Sequence, residues 1–469
     1  MAEIDRRRFL GGALGSAAAF AASEMAPALA EAAPGPPAKL NDIDHIIILM
    51  KENRSFDHYF GSLRGVRGFA DPAAARADDG SLFRQADPGN PAGYVLPFRL
   101  DTARTNAQRF HVLSHAWEAQ HAAWNGGKMD NWIPAHRTAD GAAGPLTMGY
   151  MARADLPFYY ALADAFTICD GYHCSVFGPT HPNRYYLMTA TIDPDGHYGK
   201  PALDNKGLTY KWETYPERLE KAGVSWRIYH DLDDYGCNVC RYFTQYQNIE
   251  KTSPLFEHAM RNRPFYELLW DLQTGNIPQV TWIVPPSNLS EHPDYLPAAG
   301  EHHTNQVLQA LWSNPKLWAK TALILNYDEN DGQFDHVPPP TPEPETPGEF
   351  VGGLPVGLGY RVPCIVISPF SRGGYVCGTT FDHTSTLRLI ETRFGVEVAN
   401  LSKWRRDTCG DMTTAFGFGN PARLDVPHLP ETEQALGLAE TGAMSLPLPE
   451  VPAEQTMPQQ EPGTRLRRA

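Results

Sequence analysis

Ile46 to Met50 form an unbroken apolar run that ends abruptly in Glu52, Asn53 and Arg54. A short run without polar alternation, bounded by polar residues, describes a strand buried on both faces, as in a parallel sheet. In open α/β sheets ligands sit outside the carboxyl ends of such strands. The chain therefore delivers a carboxylate, an amide and a guanidinium to the place where chemistry occurs in folds of this class. A second segment repeats the pattern. Ala322 to Leu325 is apolar and runs into Asp328, Glu329 and Asp331, then Asp335 and His336. Two such strand ends offer oxygen ligands for one divalent cation. Carboxylates and amides suit Ca²⁺, Mg²⁺ or Mn²⁺, and an added imidazole suits Zn²⁺, so the spacing leaves the metal open.

Between these segments lies F-G-P-T-H-P-N-R-Y-Y-L-M-T-A, from Phe177 to Ala190. Gly178-Pro179 breaks the chain, which predicts Thr180 at a helix N-cap with Pro182 in the first turn. A hydroxyl there lies in a field that favours anions. It serves either as a cap or as a nucleophile toward phosphorus.

The organisation follows from composition where composition discriminates. With 469 residues, 42% hydrophobic and 20% charged, the chain can bury a large core, and one α/β unit with insertions accounts for it. A net charge of −14 argues against a nucleic-acid partner held through phosphates and supplies no polybasic attraction to anionic membranes. Arg6-Arg7-Arg8-Phe9-Leu10, a weakly apolar stretch and Ala28-Leu29-Ala30 fit a twin-arginine signal peptide over residues 1–30. The expected partner is the twin-arginine export machinery, and the expected location is periplasmic or extracellular. No later stretch reaches about 18 apolar residues, so no integral membrane segment is expected in the mature chain. A linker is predicted over 31–40, the catalytic domain over 41–420 and an extended Pro-, Gln- and Glu-rich tail over 421–469. Cys237 and Cys240 stand without a second ligand pair, which favours a local disulfide or free thiols over zinc.

Three further segments hold candidates for substrate contact. A-W-N-G-G-K-M-D-N-W contains Asn125, Lys128 and Asp130 in a predicted tight turn. Asp382-His383-Thr384-Ser385 opens a helix, with His383 as a phosphate contact, a support for the ligands or simply a neighbour of the helix cap. Residues 208–246 are rich in aromatics. Tyr235, Trp226 and Asp233 or Asp234 there suit a quaternary ammonium through cation–π attraction and charge.

E-N-R-S-F-D-H-Y-F-G, F-G-P-T-H-P-N-R, S-E-H-P, N-Y-D-E-N-D-G-Q-F-D-H-V-P-P-P and F-D-H-T-S occur in this order. Together they resemble the bacterial phosphoesterase family that joins phosphocholine-type phospholipases C with a group of acid phosphatases, within the alkaline phosphatase superfamily. The resemblance implies a doubly wound, mostly parallel α/β sheet flanked by helices, with loop insertions over the site. It implies one divalent metal ion on Glu52, Asn53, Asp328 and Glu329, with the oxygen of the nucleophile Thr180 completing the shell. It also implies that His115 and His292 bind or protonate the phosphoryl group. H-D-L-D-D-Y-G-C-N-V-C-R-Y-F and M-P-Q-Q-E-P-G-T-R are more similar to the phospholipase branch. In that branch C-terminal β-rich domains usually follow, and this chain stops at Ala469, where they would begin. The expectation is an exported phospholipase C. The competing readings are an acid phosphatase of the same fold and an inactive secreted lipid-binding protein.

Overall fold

The apolar run from Ile46 to Met50 is the body of β1 (His45–Lys51), a strand in which every residue after His45 is buried. The computed structural model describes residues 35–74 and 81–468. The signal peptide predicted over 1–30 and the first part of the linker lie outside the described residues. Around β1 the main sheet is completed by β2 (Thr167–Cys169), β3 (Trp226–His230), β4 (Val280–Val284), β5 (Thr321–Tyr327), β6 (Cys364–Ile367), β7 (Val376–Cys377) and β8 (Arg467–Arg468). Their order across the sheet is β8-β7-β2-β6-β5-β1-β4-β3. β1, β3, β4 and β5 pair in parallel. β6 runs antiparallel to both of its neighbours. The mostly parallel α/β expectation is met.

One register sets the site. Along β1 and β5 the partners run from His45 with Thr321 to Lys51 with Tyr327. The next residues of the two strands, Glu52 and Asp328, therefore leave the sheet at the same level. Both chains turn sharply there, with Asn53 at φ 58° and Asp331 at φ 54°. A left-handed backbone is uncommon outside glycine, and Asn and Asp tolerate it best.

Five helices bear on the site and its surroundings: α1 (Phe56–Phe60), α2 (Thr180–Thr189), α3 (Pro297–Trp312), α4 (His383–Phe394) and α5 (Glu433–Ser445). Asp382 caps α4 through its side chain, which accepts from the Thr384 amide. The long helix α3 starts at Pro297, well before the apolar run at 306–311 that announces it in sequence, and a short turn of helix at Pro315–Trp318 links it to β5. Ala298, Ala299 and Gly300 fill its first turns and give no amphipathic signal.

The segment beyond Pro421 departs from the extended expectation. It contains α5, and its last residues add β8 to the sheet edge. The apolar and Ala positions of E-Q-A-L-G-L-A-E-T-G-A-M-S recur at helical spacing, and α5 packs against α3. At its start the Thr432 hydroxyl accepts from Asn305 (3.0 Å) and meets the His302 ring. Gln460 and Arg465 then tie the tail to the backbone of 63–66.

Candidate metal centre and active site

The residues after β1 and β5 meet in a buried polar knot. The Asn53 amide donates to Asp328 Oδ1 (3.2 Å), and the Glu329 amide donates to the same oxygen (2.9 Å). Asn53 Nδ2 donates to Asp331 Oδ1 (3.4 Å). Asp331 Oδ2 accepts from the Leu113 amide (3.1 Å), which brings in the L-S-H segment. His115 lies with Nδ1 3.3 Å from Asp331 Oδ1 and Nε2 3.7 Å from Glu329 Oε1. Glu52, Asn53, Asp328 and Glu329 are thus neighbours, as expected. Asp331, placed in the acid run by sequence but absent from the implied ligand set, belongs with them.

Thr180 differs from the expectation in one position. The cap is Pro179, with extended backbone, and Thr180 is the first helical residue of α2. Its hydroxyl therefore has no capping role. The turn before it is held by Asn183, whose side-chain oxygen accepts from the amides of Ser175 (2.8 Å) and Val176 (2.9 Å). One turn along α2, on the face of Thr180, Arg184 donates from Nε to Asp328 Oδ2 (2.9 Å) and stands 3.6 Å from Glu52 Oε1. Arg184 thus fixes Thr180 relative to the two strand ends. An i,i+4 Thr–Arg pair is the sequence signal for it. Cys237, whose thiol donates to Glu52 Oε1 (2.9 Å), had no such signal, because a distant loop brings it in. It and Cys240 are free and buried.

His383 is a support and not a phosphate contact. Its Nε2 donates to the Asp328 carbonyl (2.7 Å) and its Nδ1 faces the Tyr172 hydroxyl (3.1 Å), so both ring nitrogens are used inside the protein. Trp226 is core, with its indole N–H on Glu220. Asp234 is taken by Arg241, and Asp233 by Ser287. Tyr235 lies beside His292: its ring is 4.9 Å from the His292 ring, its hydroxyl donates to Asp294 (3.3 Å), and Tyr295 stands edge-on to it. Asn125 donates to Asp130 Oδ1 (2.8 Å) within the predicted turn, and Lys128 is exposed there.

Electrostatics mark the knot as strained by charge. Burial pushes the Glu52 carboxyl up to about 7, with Arg184 pulling it down and Asp328 raising it. Glu329 is driven well above the carboxylate range, first by burial, then by Asp328 and Asp331 against the opposing pull of His115. Two acceptor atoms, Asn53 Oδ1 and Glu329 Oε1, are buried without a hydrogen-bond partner among the described residues. Unsatisfied oxygens among crowded carboxylates are what a hard divalent cation would satisfy, so the donor set fits such an ion. The side chains of His115, Glu329 and Asp331 lie close enough together to share one. The imidazoles diverge. Burial lowers His115, but Glu329 and Asp331 outweigh it and hold the ring up at about 10. His292 falls below the usual histidine value, mainly through burial. A cleft of about 710 Å³ lies elsewhere, at the far end of α2 among Tyr186, Trp212 and Trp404, and plays no part in this constellation.

A strand-end knot of carboxylates, an amide and imidazoles beside a helix-start hydroxyl is the apparatus of a phosphoester-cleaving enzyme. The Phosphoesterase family model matches residues 43–397, and the chain belongs to that family. A non-hemolytic phospholipase C of Burkholderia pseudomallei is 44% identical, covering 100% of this chain and 73% of that protein. Phospholipase C B of Mycobacterium tuberculosis is 43% identical, covering 98% and 96%. Non-specific phospholipase C1 of Arabidopsis thaliana is 26% identical, covering 84% and 75%.

Proposed function

We propose that this phosphoric diester hydrolase is an exported, metal-dependent phospholipase C that cleaves phosphatidylcholine-type diesters to diacylglycerol and phosphocholine. The observation that carries the mechanism is Arg184, which ties the helix bearing Thr180 to Asp328 and Glu52. Thr180 Oγ1 loses its proton to solvent and attacks phosphorus, and the bond to the diacylglycerol oxygen breaks; the threonine oxygen recovers a proton from solvent when the phospho-Thr bond is hydrolysed. His115, with its ring nitrogens 3.3 Å from Asp331 and 3.7 Å from Glu329, donates a proton to the leaving diacylglycerol oxygen. His292, whose pKa burial lowers, is the group suited to take a proton from the water that then frees phosphocholine from Thr180. Two imidazoles pushed apart in this way divide acid and base work. A divalent ion held by Glu52, Asn53, Asp328 and Glu329, with Thr180 completing the shell, would supply Lewis-acid stabilisation of charge on the phosphoryl oxygens and lower the hydroxyl pKa.

The headgroup assignment is supported by Tyr235, Tyr295 and Asp294 beside His292. Two aromatic faces and a carboxylate suit a quaternary ammonium. Among the described residues no helix is long and apolar enough to cross a membrane. The test is hydrolysis of p-nitrophenyl phosphorylcholine beside p-nitrophenyl phosphate by the purified mature protein, with and without chelator. Chelator-sensitive turnover of the choline diester is expected. Turnover confined to the monoester would transfer the chain to the acid phosphatase reading.

A further inference from the structure

Behind the site lies a buried acid that the chemistry above does not use. Glu291, in S-E-H-P, is fully buried, with φ 74°. Its Oε2 accepts from the hydroxyls of Tyr59 (2.8 Å) and Tyr327 (2.7 Å), and its Oε1 accepts from Tyr159. Lys51 Nζ stands 3.6 Å from Oε1. The backbone is gripped as well. Arg54 donates from Nε (3.0 Å) and a terminal nitrogen (2.7 Å) to the Glu291 carbonyl, the carbonyl of the peptide that leads into His292. The Glu52 amide donates to the Ser290 carbonyl (2.9 Å). Gly300 leaves room for the carboxylate, since a Cβ there would lie 2.0 Å from Glu291 Cγ.

A non-glycine residue in left-handed backbone is strained and persists only where its surroundings over-determine it. Here three phenols, an ammonium and a guanidinium do so, at the residue adjoining His292, whose ring lies 3.3 Å from Asp294 and 4.9 Å from the Tyr235 ring. The four anchors Lys51, Arg54, Tyr59 and Tyr327 come from β1 with its following turn, from α1 and from β5, the same strand ends that carry the proposed ligands. We infer that Glu291 is a positioning residue. Clamped by Tyr59, Tyr159, Tyr327 and Lys51, it forces the backbone turn that aims His292 at the reacting phosphoryl group and locks that aim to the ligand-bearing ends of β1 and β5.

The inference rests on the role proposed for His292, and a double-mutant cycle separates the two. Glu291→Gln, His292→Ala and the double variant are assayed on p-nitrophenyl phosphorylcholine, with thermal melts and metal content measured for each. Glu291→Gln is expected to lower kcat at least tenfold with KM within threefold of the parent. In the His292→Ala background it should change kcat less than twofold, because a residue acting through another has nothing left to act on. Equal losses in both backgrounds would reduce Glu291 to a structural role, and parental kcat in folded Glu291→Gln would overturn the inference outright. Parental activity in His292→Ala would remove the histidine role first and the inference with it. Should Glu291→Gln fail to fold, Tyr327→Phe and Tyr59→Phe, each deleting one hydroxyl from the carboxylate, run the same cycle. A kcat loss of at least threefold that disappears without His292 supports the clamp, and a loss that persists without His292 overturns it.

Discussion

Two carboxylate–histidine clusters lie beyond the ends of β1 and β5, and in each the ligand atoms are close enough to share a metal: Glu329 and Asp331 with His115 from the L-S-H segment in one, Asp335 and His336 with Asp57 of α1 in the other. They differ in what already fills them. In the second, Arg361 donates to Asp57 Oδ1 (3.0 Å) and to both oxygens of Asp335 (2.9 and 3.0 Å). His336 Nδ1 lies on Asp57 Oδ2 (2.6 Å), and its Nε2 reaches Asp71 (3.3 Å). Guanidinium and imidazole neutralise that cluster, and each carboxylate oxygen has a donor. In the first, Glu329 Oε1 and the neighbouring Asn53 Oδ1 have no hydrogen-bond partner among the described residues. Proximity of acids thus says little about function. Completeness of their pairing separates a brace from a site.

The largest expected effect falls on the proposed nucleophile. Thr180→Ala should lower turnover of the choline diester by roughly 10⁴-fold or more. Stability should change by less than about 1 kcal/mol, since Pro179 and not Thr180 is the cap. An enzyme assay beside a thermal melt decides this, and full activity in the variant removes the nucleophile role. Arg361→Met should do the reverse. It leaves Asp57 and Asp335 buried without their cation and should cost about 3–5 kcal/mol in a urea titration, while metal content per folded molecule stays constant. Loss of metal without loss of stability would exchange the roles of the two clusters. Asp328→Asn should weaken metal affinity and activity together, about 10- to 100-fold for affinity. Elemental analysis after dialysis reads it, and unchanged occupancy rejects the ligand role.

A last test calibrates buried acids outside both clusters. Burial raises Glu301 to about 8, with the Tyr159 amide opposing and Glu291 adding. The folded state therefore keeps this proton up to a higher pH than the unfolded chain. Its stabilising contribution is full below pH 4.5, shrinks between 4.5 and 8, and is gone above. Urea titrations at about pH 5 and about pH 8 should show the parent losing more stability across this range than Glu301→Gln. Identical slopes would mean that Glu301 ionises normally in the fold.

Much of the site was legible because it follows strands. An apolar run that stops at a polar residue marks a strand end, and Glu52, Asn53, Asp328 and Glu329 were found on that ground together with the family's motif pattern. Arg184 stood inside a quoted motif without a role, since its partners lie on other strands. Cys237 and Glu291 reach the site from loops whose sequence has no period. His383 was placed near the ligands, but its use as a brace depends on Tyr172 and the Asp328 carbonyl. The tail's composition concealed α5, whose helix forms by packing on α3.

By itself the sequence determined a buried parallel-type strand pattern, the acids at two strand ends, a helix start at Thr180 and the family, because these depend on local chemistry and residue order. Only the tertiary structure decided which acids are neutralised and which are left unsatisfied. That outcome depends on the β1–β5 register and on where Arg184, Arg361 and three tyrosine hydroxyls arrive. Pairing of buried charge is a property of distance in space, and separation along the chain does not encode it.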